Sequence, residues 1–272
     1  DYLLTMPLIY TKSNTKMFLA IDAGNSNVVF ALYDSKGGKW TNQFRLETKA
    51  PQLISQLSKK VPLYFLEHGI TADQIDSIGF SSVVPEINEI LEQFCEGFFG
   101  KLPYRIQATS YANLPVRTHR PNEMGTDLMC NVMAAYTRVS GPVIVVDFGT
   151  ALTFTTVGQG GEVLGVSIVP GLQTAIKALF MNTSKLPEVE LKLPESVLGK
   201  NTVHAIQAGV LHGYTGLIKG MLEAIRLETG LNFTVIATGG LSSILTNLEG
   251  VFDAVDRNLT LDGLRLITEA NS

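Results

Sequence analysis

The chain has 272 residues, 45% hydrophobic and 17% charged, which excludes a disordered protein and leaves room for two domains of ordinary size. The net charge of −4, without a run of Lys or Arg, argues against nucleic-acid binding, and no apolar stretch is long enough for a membrane span. Two isolated cysteines, Cys95 and Cys130, form no disulfide framework and are typical of a reducing, cytoplasmic compartment.

The first segment in chain order, residues 1–16, ends in a polar stretch just before Met17. It lacks the basic start and the small-residue cleavage pattern of a secretory signal. We interpret it as an extension or tag, with the natural start at Met17. An N-terminal arm that packs on the body of the protein is the alternative.

The N-terminal half, residues 17–138, is predicted to form one domain that begins with a three-stranded antiparallel meander over residues 18–47. High apolar content and turns rich in Gly, Asn, Asp and Ser indicate these strands. The elements predicted after the meander are a helix over residues 52–68 that Pro62 can kink or break, a strand over 77–84, a helix over 86–99, a short strand over 104–107, a loop over 110–123 and a helix over 125–138.

The C-terminal half, residues 139–272, is predicted to repeat this order as a second domain. Its predicted elements are strands over 143–147, 152–157 and 162–169, a helix ending at 180, a loop over 186–194, a long helix over 201–228 capped by Asn201, a strand over 232–237, a helix opened by Thr238-Gly239-Gly240 and a final helix over 261–268. We therefore expect an α/β fold of two similar domains with a cleft between them.

One turn occurs twice, once in each half. An apolar strand ends in the segment Asp22–Asn27 (DAGNSN), and a second apolar strand ends in Asp147–Thr150 (DFGT). Exposed backbone N–H groups, hydroxyls and an acid at a tight hairpin tip suit a metal-bound polyphosphate. An ordinary Asx-type turn is the alternative for either copy alone, but its recurrence after an equivalent strand favours binding.

Two further segments carry chemistry. Thr238-Gly239-Gly240 follows an apolar strand, and a helix that begins at such a glycine turn is an anion site. Asp127 lies in the first turn of a predicted helix, where an ionised carboxylate can accept or orient the proton of a substrate hydroxyl. An acid at this place also caps helices, and this segment alone favours capping.

The chain resembles the type III pantothenate kinases over nearly all of residues 17–269, within the superfamily of sugar kinases, actin and heat-shock chaperones. The motifs that carry the resemblance are Asp22-x-Gly-Asn-Ser-Asn, Ser81-Ser82-Val83-Val84-Pro85, Gly125-x-Asp127, Asp147-x-Gly-Thr, Gly199-Lys200-Asn201-Thr202 and Thr238-Gly239-Gly240-Leu241.

The resemblance implies two ribonuclease-H-like (actin-like ATPase) domains and a homodimer. It also implies ATP-dependent phosphorylation of pantothenate to 4'-phosphopantothenate, the first step of coenzyme A biosynthesis. Asp127 would be the proton acceptor, Asp147 would bind K⁺ or NH₄⁺, and Asp22 would hold Mg²⁺ through water. The expected nucleotide-binding residues are Asp22, Ala23, Gly24, Asn25, Ser26, Asn27, Val28, Val29, Thr150, Gly239 and Gly240. The expected acceptor-binding residues are Thr118, Gly125, Thr126, Asp127, Leu128 and Thr202.

Three positions depart from the family pattern, and two of them lie on the acceptor side. Leu128 stands where the family has an Arg that helps to hold pantothenate, Thr118 stands where Tyr is frequent, and Thr155 replaces a frequent acid. The basic residues Arg117, His119 and Arg120 are candidates for the missing charge. Two alternatives are a non-catalytic, ATP-binding regulatory paralogue and a kinase for another small alcohol.

Overall fold

The computed structural model describes residues 16–242, 244, 245, 248 and 250–272. Residues 1–15, which make up nearly all of the predicted extension, lie outside the described part. The domain boundaries at residues 16 and 138 stay predictions.

The N-terminal sheet has five strands in the order β3-β2-β1-β4-β5. Its strands are β1 Met17–Ala23, β2 Asn27–Asp34, β3 Lys39–Glu47, β4 Ile75–Ser82 and β5 Tyr104–Arg105. β1, β2 and β3 form the expected antiparallel meander, and β4 pairs with β1 in parallel. β1 is buried on both faces, which explains its nearly continuous apolar sequence.

The C-terminal sheet has the same topology, with the order β8-β7-β6-β9-β10. Its strands are β6 Val143–Phe148, β7 Ala151–Val157, β8 Val163–Pro170, β9 Thr234–Thr238 and β10 Ala254–Val255. Each strand occupies the position of its counterpart in the first sheet, including the parallel pairing of β9 with β6. The expected α/β fold of two similar halves is therefore confirmed.

Six α-helices cover the sheets in the part of the chain that the structure describes. They are α1 Ala50–Glu67, α2 Asn88–Phe99, α3 Thr126–Val139, α4 Leu172–Met181, α5 Thr202–Thr229 and α6 Leu259–Ala270. Asn201 caps α5 as expected, because its side chain accepts a hydrogen bond from the His204 N–H. Pro62 lies inside α1, which continues through it, so the possible break at this position does not occur.

One core cluster joins the two halves. It contains residues of α3 and α6 together with one face of β1 and one face of β6. α6 packs closely on α3 because Gly263 has no side chain, and a Cβ there would collide with the Cys130 carbonyl. The last helix of the chain therefore lies against α3 and against strands β1 and β4 of the N-terminal sheet.

One predicted element is wrong. The glycine turn at residues 239–240 was expected to open a helix, but the described residues 241, 242 and 244 lie in turns. Ser242 bonds back to the Gly239 carbonyl through both its N–H and its hydroxyl. A serine that competes for the backbone in this way favours a turn over a helix.

Candidate functional site

The two hairpin tips meet. The Ser26 hydroxyl at the β1–β2 tip lies 3.1 Å from the Thr150 hydroxyl at the β6–β7 tip. Each tip is closed by one backbone bond, from the Gly24 N–H to Asn27 and from the Gly149 N–H to Ala151. The polar residues of both tips are exposed, so their N–H groups and hydroxyls face the same open space.

Each tip is braced from behind by a threonine that the sequence analysis missed. The Thr48 hydroxyl, just after β3, donates to the Gly24 carbonyl at 2.7 Å. The Thr174 hydroxyl, in α4, donates to the Thr150 carbonyl at 2.7 Å. Because each threonine bonds to a tip carbonyl, it takes up none of the tip N–H groups.

Three carboxylates lie close enough to one another to interact electrostatically. Burial is the main cause that raises the pKa of Asp22 to about 7; the charges of Asp127 and Asp147 add to this rise, whereas a hydrogen bond from Ser81 acts in the opposite direction. Burial likewise raises the pKa of Asp147 to about 6 and the pKa of Asp127 above its usual range. The cluster therefore favours the arrival of cations.

Asp127 lies in the first turn of α3, as predicted, and Gly125 is the residue before that helix. One carboxylate oxygen accepts a hydrogen bond from the Leu128 N–H at 2.8 Å. The neighbouring Thr126 hydroxyl contacts the Ser81 hydroxyl at 3.0 Å and the Ser82 carbonyl at 3.2 Å. These contacts fix the start of α3 against the end of β4, beside Asp22.

Asp147 is flanked on both neighbouring strands by threonines. It pairs with Thr153 on β7 and with Thr238 on β9, and paired residues project from the same face of a sheet. Both threonine hydroxyls are buried and have no hydrogen-bond partner among the residues that the structure describes. A buried hydroxyl without a partner is costly, so this row of oxygens suits an oxygen-binding cation.

Gly239 has a structural reason to be glycine. Its φ is +90°, and a Cβ there would lie 2.7 Å from Asp147 Oδ1 and 2.6 Å from the Phe148 carbonyl. The glycine turn therefore closes directly over the second hairpin acid. The predicted glycine motif belongs to the site even though no helix follows it.

Arg45 is a site residue for which the sequence offered no signal. It lies on β3 opposite Val29, and a Cβ on Gly240 would lie 3.9 Å from its Nη1 atom. Its charge lowers the pKa of Asp22, although burial has the larger, opposite effect. Among the described residues Arg45 forms no ion pair, so its guanidinium is available to an anion between the tips.

Two of the three basic residues proposed to supply the missing charge, Arg117 and Arg120, have partners of their own. Arg120 forms an exposed ion pair with Glu123 at 3.1 Å, and its N–H is 3.3 Å from the Thr118 hydroxyl. Arg117 donates to the Gly160 carbonyl at 3.1 Å. Both contacts are exposed, and such interactions are weak enough to be exchanged for a substrate carboxylate.

Thr202 is the first residue of α5. It lines a shallow apolar groove of about 310 Å³ at the start of α5, beside Leu179, Leu186 and Ile206. In the part of the chain that the structure describes, Thr202 forms no hydrogen bond to residues 118–128.

Among the residues that the structure describes, no group of three or more His, Cys, Asp or Glu side chains is arranged to hold a metal ion. None of the helices in that part of the chain has the length and apolarity needed to cross a membrane.

Comparisons with known proteins agree with this geometry. The model of the type III pantothenate kinase family matches residues 18–224. The type III pantothenate kinase of Myxococcus xanthus is 38% identical over 94% of this chain and 99% of its own length. A putative 2-dehydro-3-deoxygalactonokinase from Sinorhizobium meliloti has a TM-score of 0.55 at 12% identity, over 93% of this chain and 96% of its own. MreB 5 of Spiroplasma citri bound to AMPPNP has a TM-score of 0.51 at 8% identity, over 94% and 97% respectively. These two structures share the actin-like fold.

Proposed function

This chain belongs to the family of type III pantothenate kinases and phosphorylates pantothenate for coenzyme A biosynthesis, and we propose that ATP supplies the phosphoryl group from between the two hairpin tips. The meeting of Ser26 with Thr150 carries this proposal. Two polar tips that converge beside three acids provide donors for phosphate oxygens and carboxylates for cations, which is what phosphoryl transfer requires.

The triphosphate would lie along residues 22–29, Thr150 and the Gly239-Gly240 turn. The open N–H groups and hydroxyls of the tips suit phosphate oxygens. Arg45 would add a charge-assisted contact from the N-terminal side of the cleft. Asp22 would hold Mg²⁺ through water, since no set of three acidic or histidine ligands is present among the described residues.

Asp127 would accept the proton of the pantothenate hydroxyl. Its raised pKa makes its carboxylate a stronger base than an exposed Asp, and a base is most effective when its pKa approaches the working pH. The Leu128 N–H holds one oxygen and leaves the other for the substrate. As the oxygen loses its proton it attacks the terminal phosphorus in line with the departing ADP.

Asp147 would bind a monovalent cation, K⁺ or NH₄⁺. The hydroxyls of Thr153 and Thr238 support this proposal. They lie on the strands beside Asp147 and have no hydrogen-bond partner among the described residues. Such a cation supplies positive charge near the phosphates. The protein's part is to hold an oxygen cage at the second hairpin.

A homodimer would complete the acceptor pocket. The edge strand β8 exposes one apolar face, with Ile168 64% exposed, and farther along the chain Met181 and Leu198 are 68% and 79% exposed. Exposed apolar surface of this extent is typical of an interface. In such a homodimer Thr202 would contact pantothenate, as the family resemblance implies. A cytoplasmic location accords with this role.

The test is ADP release by the purified protein with Mg-ATP and K⁺, measured with and without pantothenate. Asp127→Asn is expected to lower the pantothenate-dependent kcat by about 10²–10⁴-fold while ATP still binds. Asp76→Asn is the matched control, because Asp76 is an exposed acid paired with Lys16. Normal turnover by the Asp127→Asn variant would show that another group is the base.

A further inference from the structure

Two consecutive hydrogen bonds connect the start of α6 to Asp147. The Thr260 hydroxyl donates to Asn131 Oδ1 at 2.7 Å, and Asn131 Nδ2 donates to Asp147 Oδ2 at 2.8 Å. Asn131 is only 1% exposed. The three side chains come from α6, α3 and β6, so the packing of both helices against the second hairpin determines the contact.

The chemistry of the three groups sets the direction of both bonds. An ionised carboxylate only accepts hydrogen bonds, so Asn131 must present its amide NH₂ group to Asp147. The amide oxygen then faces Thr260, whose hydroxyl donates to it. Each bond therefore fixes the Asn131 amide in the orientation that the other bond needs. Both donor groups bond to protein atoms.

The consequence is a fixed carboxylate. Asn131 holds Asp147 through Oδ2, while Oδ1 lies on the side of Gly239. The hydroxyls of Thr153 and Thr238 stand on the strands at either side of Asp147. A carboxylate that could rotate would spread over several orientations, and a cation bound to it would meet these hydroxyls only part of the time.

We propose that Asn131, held by Thr260, is a positioning residue that locks the Asp147 carboxylate for its monovalent cation. This role rests on the proposed binding of a cation at Asp147. In this proposal neither Asn131 nor Thr260 touches pantothenate or ATP. The last helix of the chain thereby contributes to the site from behind.

The experiment measures the K⁺-dependent rise in Tm of the full chain without ATP, with choline chloride as the ionic-strength control. Thr260→Val is expected to raise the half-saturating K⁺ concentration about two- to tenfold, the effect of one neutral hydrogen bond. Asn131→Leu, which keeps the volume but removes both bonds, is expected to raise it about ten- to a hundredfold. The K⁺ concentration for half-maximal kinase activity is expected to follow.

Two control variants separate positioning from stability. Thr260→Ser keeps the hydroxyl and is expected to restore the wild-type K⁺ response. Thr268→Val lies in the same helix and removes a buried hydroxyl that bonds only to the Leu264 carbonyl of its own helix, so the K⁺ response is expected to stay unchanged. The double variant of Asn131→Leu and Thr260→Val is expected to respond as Asn131→Leu alone, because both act through one contact.

Asp147→Asn distinguishes the proposed cation site at Asp147 from the proposed positioning role of Asn131. If this variant keeps the wild-type K⁺ response, the cation site at Asp147 is wrong. If it loses the response while Asn131→Leu and Thr260→Val keep the wild-type half-saturation, the positioning role is overturned and the cation site stands. Additive effects in the double variant would also overturn it.

Discussion

The two halves share one strand order, but the acid at the hairpin tip has different neighbours in each half. Asp22 faces Ser81 and Asp127 and lies beside the charge of Arg45. Asp147 lies in a row of threonine hydroxyls and accepts a bond from the neutral amide of Asn131. The repeated topology fixes where each acid stands, and the neighbouring strands and helices decide what it can bind. A duplicated fold thus surrounds two equivalent acids with different neighbours.

The third strands differ as well. β3 is covered, because Phe44 stacks on Phe30 and contacts Tyr64 of α1. β8 keeps its apolar face exposed along Leu164, Val166 and Ile168. The chain itself covers the apolar face of β3, whereas the apolar face of the equivalent strand β8 is exposed.

The largest expected effect separates the two acids. Asp22→Asn is expected to lower kcat/KM for Mg-ATP on the order of 10²-fold, because it removes a preorganised charge beside the phosphates. Asp147→Asn is expected to lower activity mainly by abolishing the response to K⁺. Steady-state kinetics over a matrix of Mg²⁺ and K⁺ concentrations measure both. If both variants showed the same dependence of activity on Mg²⁺ and K⁺ concentration, the two acids would not have distinct roles.

The next effect concerns the β8 surface. Ile168→Asp is expected to shift the protein from dimer to monomer in light scattering and to lower pantothenate turnover with it, because a charge in an apolar interface is costly. Leu102→Asp is the control, since Leu102 is 67% exposed in the N-terminal half. A dimer that survives Ile168→Asp would place the interface elsewhere.

Arg45 tests the N-terminal side of the cleft. Arg45→Ala is expected to raise the KM for ATP about ten- to a hundredfold, the effect of one hydrogen bond to a charged group, and to leave the KM for pantothenate unchanged. Arg105→Ala, which removes an arginine paired with Glu92, serves for comparison. An unchanged KM for ATP would remove Arg45 from the phosphate site.

Leu128 tests the acceptor side. Leu128→Arg is expected to lower the KM for pantothenate by up to about tenfold, because it adds one charge-assisted contact to the carboxylate. Leu128→Gln controls for size without charge. If Leu128→Arg gives no improvement, the carboxylate is already held, and Arg117, His119 and Arg120 become the next variants.

The smallest effect is on stability. Burial raises the folded-state pKa of Asp22 to about 7 and of Asp147 to about 6, from 3.8, so the folded protein binds more protons than the unfolded chain between these values. The free energy of unfolding is therefore expected to fall as pH rises from about 4 to about 7.

Thermal unfolding at pH 5 and pH 8, in chelator and choline buffer, measures this loss. Asp22→Asn is expected to reduce it by a few °C, on the scale of about 2–4 °C for each kcal/mol, relative to Asp76→Asn. An equal loss in both variants would show that Asp22 does not carry the pH dependence.

The sequence by itself determined the repeated hairpins, the Asn201 cap and the pairing of an acid with each tip. These features are local, since turn residues and strand periodicity act over a few neighbouring positions. It also placed the start of α3 at Gly125 and so put Asp127 in its first turn. The family motifs rest on the same short segments.

Only the tertiary structure brought Arg45, Asn131 and Thr260 to the acids. Their places depend on strand register and helix packing between segments far apart in the chain, such as the 129 positions that separate Asn131 from Thr260. The packing of α6 on the N-terminal sheet was decided in the same way. Contacts between distant segments follow from how the layers pack, and no local pattern encodes that packing.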